Sequence, residues 1–156
     1  MPYDRPVRIV TVCSGNICRS PLAEFLADRV AMTYAIEVEV QSGGTLGLID
    51  RPSPGQVIAV AREIGIDLTR HRSKPLTREM VDWADHVLVM ELAHATFIRE
   101  TLEVDDEHKV TPLGPLVGQP EIADPIGRWF KGPYRTMRDE VHESLKRFFG
   151  SLAQRA

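Results

Sequence analysis

Arg8-Ile9-Val10-Thr11-Val12-Cys13 runs directly into Ser14-Gly15-Asn16-Ile17-Cys18-Arg19-Ser20-Pro21, and the join between the two stretches decides how the chain folds. The first stretch is short, apolar and rich in β-branched residues, the pattern of a strand buried on both faces of a parallel sheet. Gly15 and Asn16 supply a turn. Ser20 and Pro21 then form an N-cap and first-turn pair, and Leu22, Phe25, Leu26 and Val30 recur at helical spacing. The predicted unit is a strand, a tight loop and the start of a helix.

The rest of the chain repeats this alternation. Ile36 to Gln41 reads as a second strand, closed by the turn-forming Ser42-Gly43-Gly44-Thr45. Val57, Val60, Ala61 and Ile64 share one helical face, and Gly65 is placed to stop that helix. A short helix is expected from Thr77 to Asp85, a buried strand from His86 to Met90, and a further helix from Glu91 to Thr101. Lys109 to Thr111 is the candidate fourth strand. Pro112, Gly114, Pro115, Gly118, Pro120, Pro125, Gly127 and Pro133 then mark a long loop, of the kind that usually carries function. Met137, Val141, Leu145, Phe148 and Leu152 return to helical register. The fold class predicted is α/β, a single-domain three-layer sandwich over residues 1–156 with a four-stranded parallel sheet flanked by helices. In such folds ligands sit beyond the C-terminal ends of the strands, where Cys13 lies.

Bulk properties narrow the function. The 156 residues suit one core, and 43% hydrophobic with 26% charged residues is ordinary for a globular protein. A net charge of -3 argues against a nucleic-acid partner, which would need a surplus of Lys and Arg on one face. No apolar run approaches the roughly 20 residues that cross a bilayer. The start, MPYDRPVRIV, has no signal-peptide core, so a cytoplasmic location is expected. Cys13 and Cys18 are the only cysteines, which suits a reducing compartment and chemistry better than a disulfide scaffold. His86, His94, His108 and His142 show no metal-ligand spacing and receive no role.

The loop from Cys13 to Ser20 carries the chemistry. A loop between a strand and a helix start turns backbone N–H groups and the positive end of the helix dipole into one concavity, which is a phosphate site. Ser14, Gly15, Asn16, Ile17, Cys18 and Ser20 are the expected phosphate-cradling residues. Arg19 adds a guanidinium with two parallel donors. The same field favours a sulfur anion at Cys13, a nucleophile for attack on phosphorus through a loose in-line transition state. Ser20 could donate a hydrogen bond to that sulfur.

These residues resemble a known family. Val12 to Glu24, VCSGNICRSPLAE, is similar to the signature of the low-molecular-weight protein tyrosine phosphatases, and the likeness extends over essentially the whole chain. Ser42 to Thr45 resembles the family's Ser-Ala-Gly-Thr segment, His71-Arg72-Ser73 its His-Arg-Ser/Ala segment, and Ala123-Asp124-Pro125 its late Asp-Pro element. The resemblance implies hydrolysis of phosphotyrosine through a phosphocysteine, with Cys13 as nucleophile, Arg19 binding phosphate and Asp124 as general acid and then base. It also implies that Asn16, Ser20, Ser42 and His71 form a hydrogen-bond network around the loop. Cys18 resembles the second cysteine that can protect Cys13 through a reversible disulfide. No metal and no cofactor are implied. The expected partner is a phosphotyrosine protein, with a tyrosine autokinase as one candidate. Export without a leader stays open, and the oligomeric state is not set.

Departures from the pattern bear on specificity. Where many relatives carry aromatic walls, this chain has Ile126-Gly127 and Leu46-Gly47-Leu48, so Trp129 or Tyr134 is the candidate wall instead. Tyrosine phosphorylation at the Asp-Pro site does not carry over. Among alternatives of the same fold, a thioredoxin-coupled arsenate reductase needs cysteines after Cys18, and none follows. Protein arginine phosphatases carry threonine where Ile17 stands, and isoleucine favours an aryl ester. A phosphocysteine carrier would need no general acid, and a dead phosphate-binding module would be expected to lack Cys13, Arg19 or Asp124.

Overall fold

The computed structural model describes residues 4–155. Its elements in chain order are β1 (Val7–Cys13), α1 (Arg19–Thr33), β2 (Val38–Gly44), α2 (Gly55–Arg62), α3 (Arg78–Trp83), β3 (His86–Val89), α4 (Leu92–Glu100), β4 (Val110–Pro112), a 3-10 turn (Gly114–Val117) and α5 (Gly132–Gln154). All strand pairings are parallel, and the sheet order is β2-β1-β3-β4. The predicted four-stranded parallel α/β sheet is therefore what forms.

Strand alternation sorts the core into two layers. Val7, Ile9 and Cys13 of β1 face the side covered by Leu22 and Leu26 of α1 and by Val141, Leu145 and Phe149 of α5. Val10 and Val12 face the other side, against Met80 and Val81 of α3 and Ile98 of α4. β3 divides in the same way, with Leu88 on the first side and Val87 and Val89 on the second. Full burial of side chains such as Ile9, Leu22 and Phe149 contributes about 1.5–3 kcal/mol each, so both layers are strongly specified. Among the described residues no helix is long and apolar enough to cross a membrane.

Three sequence expectations shift. The second strand runs from Val38 to Gly44, so Ser42, Gly43 and Gly44 belong to it rather than to the turn, which follows at residues 45–46. The cause is pairing: Ser42, Gly43 and Gly44 lie in register with Thr11, Val12 and Cys13. A Cβ on Gly44 would come within 2.8 Å of the Ser14 carbonyl oxygen, so glycine lets β2 reach the start of the loop. The first helix starts at Arg19, with Cys18 rather than Ser20 at the cap position and no side-chain cap bond. Ser20 is thereby released from capping. The helix over α2 ends at Arg62, before the expected Ile64, and Gly65 closes the turn that follows at φ +79°, its N–H donating to the Arg62 carbonyl and that of Ile66 to the Ala61 carbonyl, both at 3.0 Å.

Because β1 is central, its C-terminal end is flanked by the ends of β2 and β3, and the loop after Cys13 emerges between them. That placement brings distant residues together.

Candidate active site

Residues Ser14 to Cys18 lie between strand and helix. Among the described residues, none of their backbone N–H groups donates to a protein acceptor. Nearly all buried backbone donors in folded proteins are paired, so five consecutive unpaired ones, with the N-terminus of α1 behind them, form a cradle for an anion. The carbonyls are held instead: Thr45 and Leu46 donate from their backbone N–H groups to Cys13 and Ser14 at 3.1 and 2.9 Å.

Asn16 is the hub of the loop. It is fully buried and adopts φ +55°, a left-handed conformation that asparagine tolerates better than most residues. Its side-chain amide donates to Ser20 Oγ at 2.8 Å and to Ser42 Oγ at 2.9 Å, and its Oδ1 accepts from the Lys74 N–H at 3.0 Å. His71 Nε2 lies 2.6 Å from the Asn16 carbonyl oxygen, which can only accept, so this nitrogen carries the hydrogen. Ser20 Oγ accepts from Asn16, which leaves its own hydrogen available to a Cys13 thiolate, whose sulfur lies 3.0 Å away and can only accept. Ser42 Oγ likewise accepts from Asn16 and donates to Glu24 Oε1 at 2.5 Å. The structure therefore joins the predicted residues Asn16, Ser20, Ser42 and His71 around Cys13.

Arg19 holds the opposite side, with only 1% of its side chain exposed. Its Nη1 donates to the Ile122 carbonyl at 2.8 Å and pairs with Glu91 Oε2 at 2.7 Å. Nη2 lies 3.5 Å from Asp124 Oδ2, and Nε is buried without a hydrogen-bond partner among the described residues. An orphaned buried guanidinium N–H is costly unless a ligand satisfies it, so the edge offered to an anion is the one bearing Nε. Asp124 is fixed by its own loop, with Oδ1 accepting from the Ile126 N–H at 3.0 Å. Cys18 is buried, and its thiol is pushed far up, first by burial and then by Cys13 and Asp124, against an opposing effect of Arg19. It therefore stays protonated beside Cys13.

The cleft above the loop is lined by Ile17, Leu46, Leu48, Ile126 and Asp124, with Cys13 and Arg19 at its base. The expected aromatic replacement does not occur. Trp129 is 85% exposed, and Tyr134 is buried with its hydroxyl donating to the Arg128 carbonyl, so neither lines the cleft. Ser73 Oγ donates to the Leu48 carbonyl at 3.0 Å and accepts from the Arg51 N–H at 3.0 Å, fastening the wall that carries Leu48.

Residues 8–156 match the family model described as low molecular weight phosphotyrosine protein phosphatase. The chain belongs to this family. Relatives of this low-molecular-weight phosphatase divide between two substrates. It is 36% identical over 152 residues to a protein-arginine-phosphatase of Geobacillus stearothermophilus, covering 94% of this chain and 97% of that protein. It is 34% identical over 150 residues to the low molecular weight protein-tyrosine-phosphatase Etp of Escherichia coli K12, covering 94% and 93%. Among solved structures it resembles a mutant of the YwlE arginine phosphatase with a phosphorylated active-site serine (TM-score 0.84, 31% identity, 94% and 95% covered). It also resembles the tyrosine phosphatase Wzb from Escherichia coli K30 in complex with sulphate (TM-score 0.80, 28% identity, 95% and 99% covered).

Two residues of the phosphatase site, Glu24 and Glu91, went unread in the sequence, and His94, which was given no role there, belongs to it as well. Glu24 stands one helical turn after Ser20, so its face of α1 was available from the spacing. Glu91 lies two residues beyond β3, at the ligand-binding edge of the sheet, where a carboxylate near Arg19 was foreseeable. His94, only 2% exposed, follows Glu91 by three places, and its Nδ1 accepts from the Glu91 N–H at the start of α4 at 3.1 Å.

Proposed function

We propose that this phosphatase hydrolyses phosphotyrosine in protein substrates, with Cys13 as nucleophile. The observation that carries the reading is the cleft itself, an anion cradle below and aliphatic walls of Ile17, Leu46, Leu48 and Ile126 above. Such walls fit the faces of a phenyl ring, whereas a guanidinium seated between them would lose most of its hydration and acquire only the Asp124 carboxylate at the rim.

In this mechanism the Cys13 thiolate attacks phosphorus in line, and the bond from phosphorus to the tyrosyl oxygen breaks. The loop amides and Arg19 Nε hold the charge on the equatorial oxygens. Asp124 gives its proton to the departing phenolate oxygen. The resulting carboxylate then takes a proton from water as the water oxygen attacks phosphorus, and the sulfur–phosphorus bond breaks. The hydrogen bond from Ser20 stabilises sulfur as it leaves. In this reading the Cys18 thiol condenses with a Cys13 sulfenic acid, releasing water and forming a protective disulfide that thiols can reverse. The location proposed is the cytoplasm, and a tyrosine autokinase is a candidate substrate.

Assays of phosphotyrosine, phosphoarginine and phosphoserine peptides side by side test the reading. Turnover is expected for phosphotyrosine at least tenfold above the others, on the order of one lost packing or desolvation effect of 1.4 kcal/mol. Preference for phosphoarginine would replace it with the second reading, arginine phosphatase, which the Geobacillus relative and the carboxylate of Asp124 at the rim favour.

A further inference from the structure

The N-terminus of α4 presents a buried imidazole to the phosphate loop. His94 Nδ1 accepts from the Glu91 N–H at 3.1 Å, and Nε2 lies 3.0 Å from Ser14 Oγ. A nitrogen that accepts from an amide carries no hydrogen, and a neutral imidazole has one N–H, which is therefore on Nε2. Ser14 Oγ accepts that hydrogen. Its own hydrogen is then free of His94, and among the described residues Ser14 Oγ has no other protein partner. Ser14 lines the cleft.

We propose that His94 is a positioning residue for catalysis, fixing the Ser14 hydroxyl so that its single hydrogen faces the cleft as an additional donor to the phosphoryl oxygens. Through its N–H groups the backbone of the loop supplies donors that any side chain at position 14 would leave in place. The hydroxyl adds one that depends on this particular residue pair. Burial keeps the imidazole neutral, pushing it down to about 4, with Arg19 acting in the same sense and Glu91 and Asp124 opposing. Protonation would put a hydrogen on Nδ1 against the Glu91 N–H and break the arrangement. Glu91, three residues before His94, binds Arg19 at the other end of the loop, so one helix terminus sets both ends of the cradle.

The same histidine also caps α4, and the test must separate the two roles. His94→Asn can keep an acceptor near the Nδ1 position and loses the donor to Ser14. His94→Gln can keep a donor near the Nε2 position and loses the acceptor. The measurements are inhibition by inorganic phosphate, kcat and KM on p-nitrophenyl phosphate, and thermal unfolding. Ser14→Ala and His94→Asn should each weaken phosphate inhibition about five- to tenfold, the effect of one hydrogen bond, and the double variant should be no weaker than either alone. His94→Gln should melt earlier yet bind phosphate within about twofold of the parent. The proposal is overturned if His94→Asn binds phosphate normally, if the two substitutions add independently, or if His94→Gln loses phosphate affinity as severely as His94→Asn. Phosphate is common to tyrosyl and arginyl substrates, so this result stands apart from the choice between them.

Discussion

Removing the Asn16 side chain tests whether the loop is held by the hub described above. Asn16→Ala deletes the bonds to Ser20, Ser42 and the Lys74 N–H, three in all, at about 1 kcal/mol each. It also places alanine at φ +55°, adding about 1 kcal/mol of backbone strain that glycine avoids. The expected loss is about 4 kcal/mol for Asn16→Ala and about 3 for Asn16→Gly, a large share of the roughly 5–15 kcal/mol that stabilises a domain. In thermal unfolding this is a fall of about 8–16 °C for alanine, with glycine a few degrees better.

Activity should fall in both variants at temperatures where they remain folded, because the bond from Asn16 no longer leaves the Ser20 hydrogen for the Cys13 thiolate. The effect should appear in kcat, through the leaving sulfur, more than in KM. Thermal melts by circular dichroism and steady-state assays on p-nitrophenyl phosphate measure the two quantities. If Asn16→Gly costs less than about 1 kcal/mol and leaves kcat unchanged, the hub reasoning is wrong.

Cys13→Ser should abolish turnover while inorganic phosphate still binds, measured by calorimetry, and retained turnover would remove Cys13 from the mechanism. Asp124→Ala should lower kcat by about 10²–10⁴ and most for poor leaving groups, so a loss independent of leaving-group pKa would count against the acid role. After mild peroxide and then thiol reductant, the parent should recover activity and Cys18→Ser should recover less, with equal recovery ruling out protection by Cys18. Stability should fall with pH: the unfolded chain protonates His94 near its usual value of 6.5, whereas the folded chain holds it neutral to about 4. The contribution is intact above the unfolded value and declines as pH drops through this window, by about 2 kcal/mol between about pH 7.5 and about pH 5. Denaturant midpoints read it, and His94→Gln should flatten that part of the curve.

The sequence was most legible where one residue type answered one requirement. The β-branched run to Cys13, the turn at Gly65 and the apolar register of α5 each follow from local periodicity or backbone freedom. Ser42 to Gly44 were misread as a turn because small residues signal turns locally, while their extended conformation comes from pairing with β1. Ser20 was read as a cap for a similar reason, since serine before proline is a local signal and the demand for its hydroxyl comes from Asn16 and Cys13. Trp129 and Tyr134 were candidates as stand-ins for the aromatic walls of the resembled family, and which way their side chains point is not encoded by spacing. Glu91 escaped notice and His94 was given no role because their partners, Arg19 and Ser14, lie far away in the chain.

The sheet order explains why those partners converge. With β1 central, the loop is reached from the strand on either side of it, while His71, Lys74 and Ile122 arrive on longer connecting segments. On one side, β2 and the adjoining face of α1 deliver Ser42 and Glu24, hydroxyl and carboxylate in series, and they fix hydrogen direction around Cys13. On the other, the end of β3 delivers Glu91 and His94, which restrain Arg19 and Ser14. Glu24 is bonded to the Ser42 hydroxyl and Glu91 to Arg19, and neither accepts from the amides of Ser14 to Cys18, so the cradle stays attractive to an anion although the chain as a whole is acidic. Exchanging the order of β2 and β3 would leave every local motif intact and still separate each bracket from the end of the loop it holds. The activity is thus a property of the parallel order as much as of the sequence from Cys13 to Ser20.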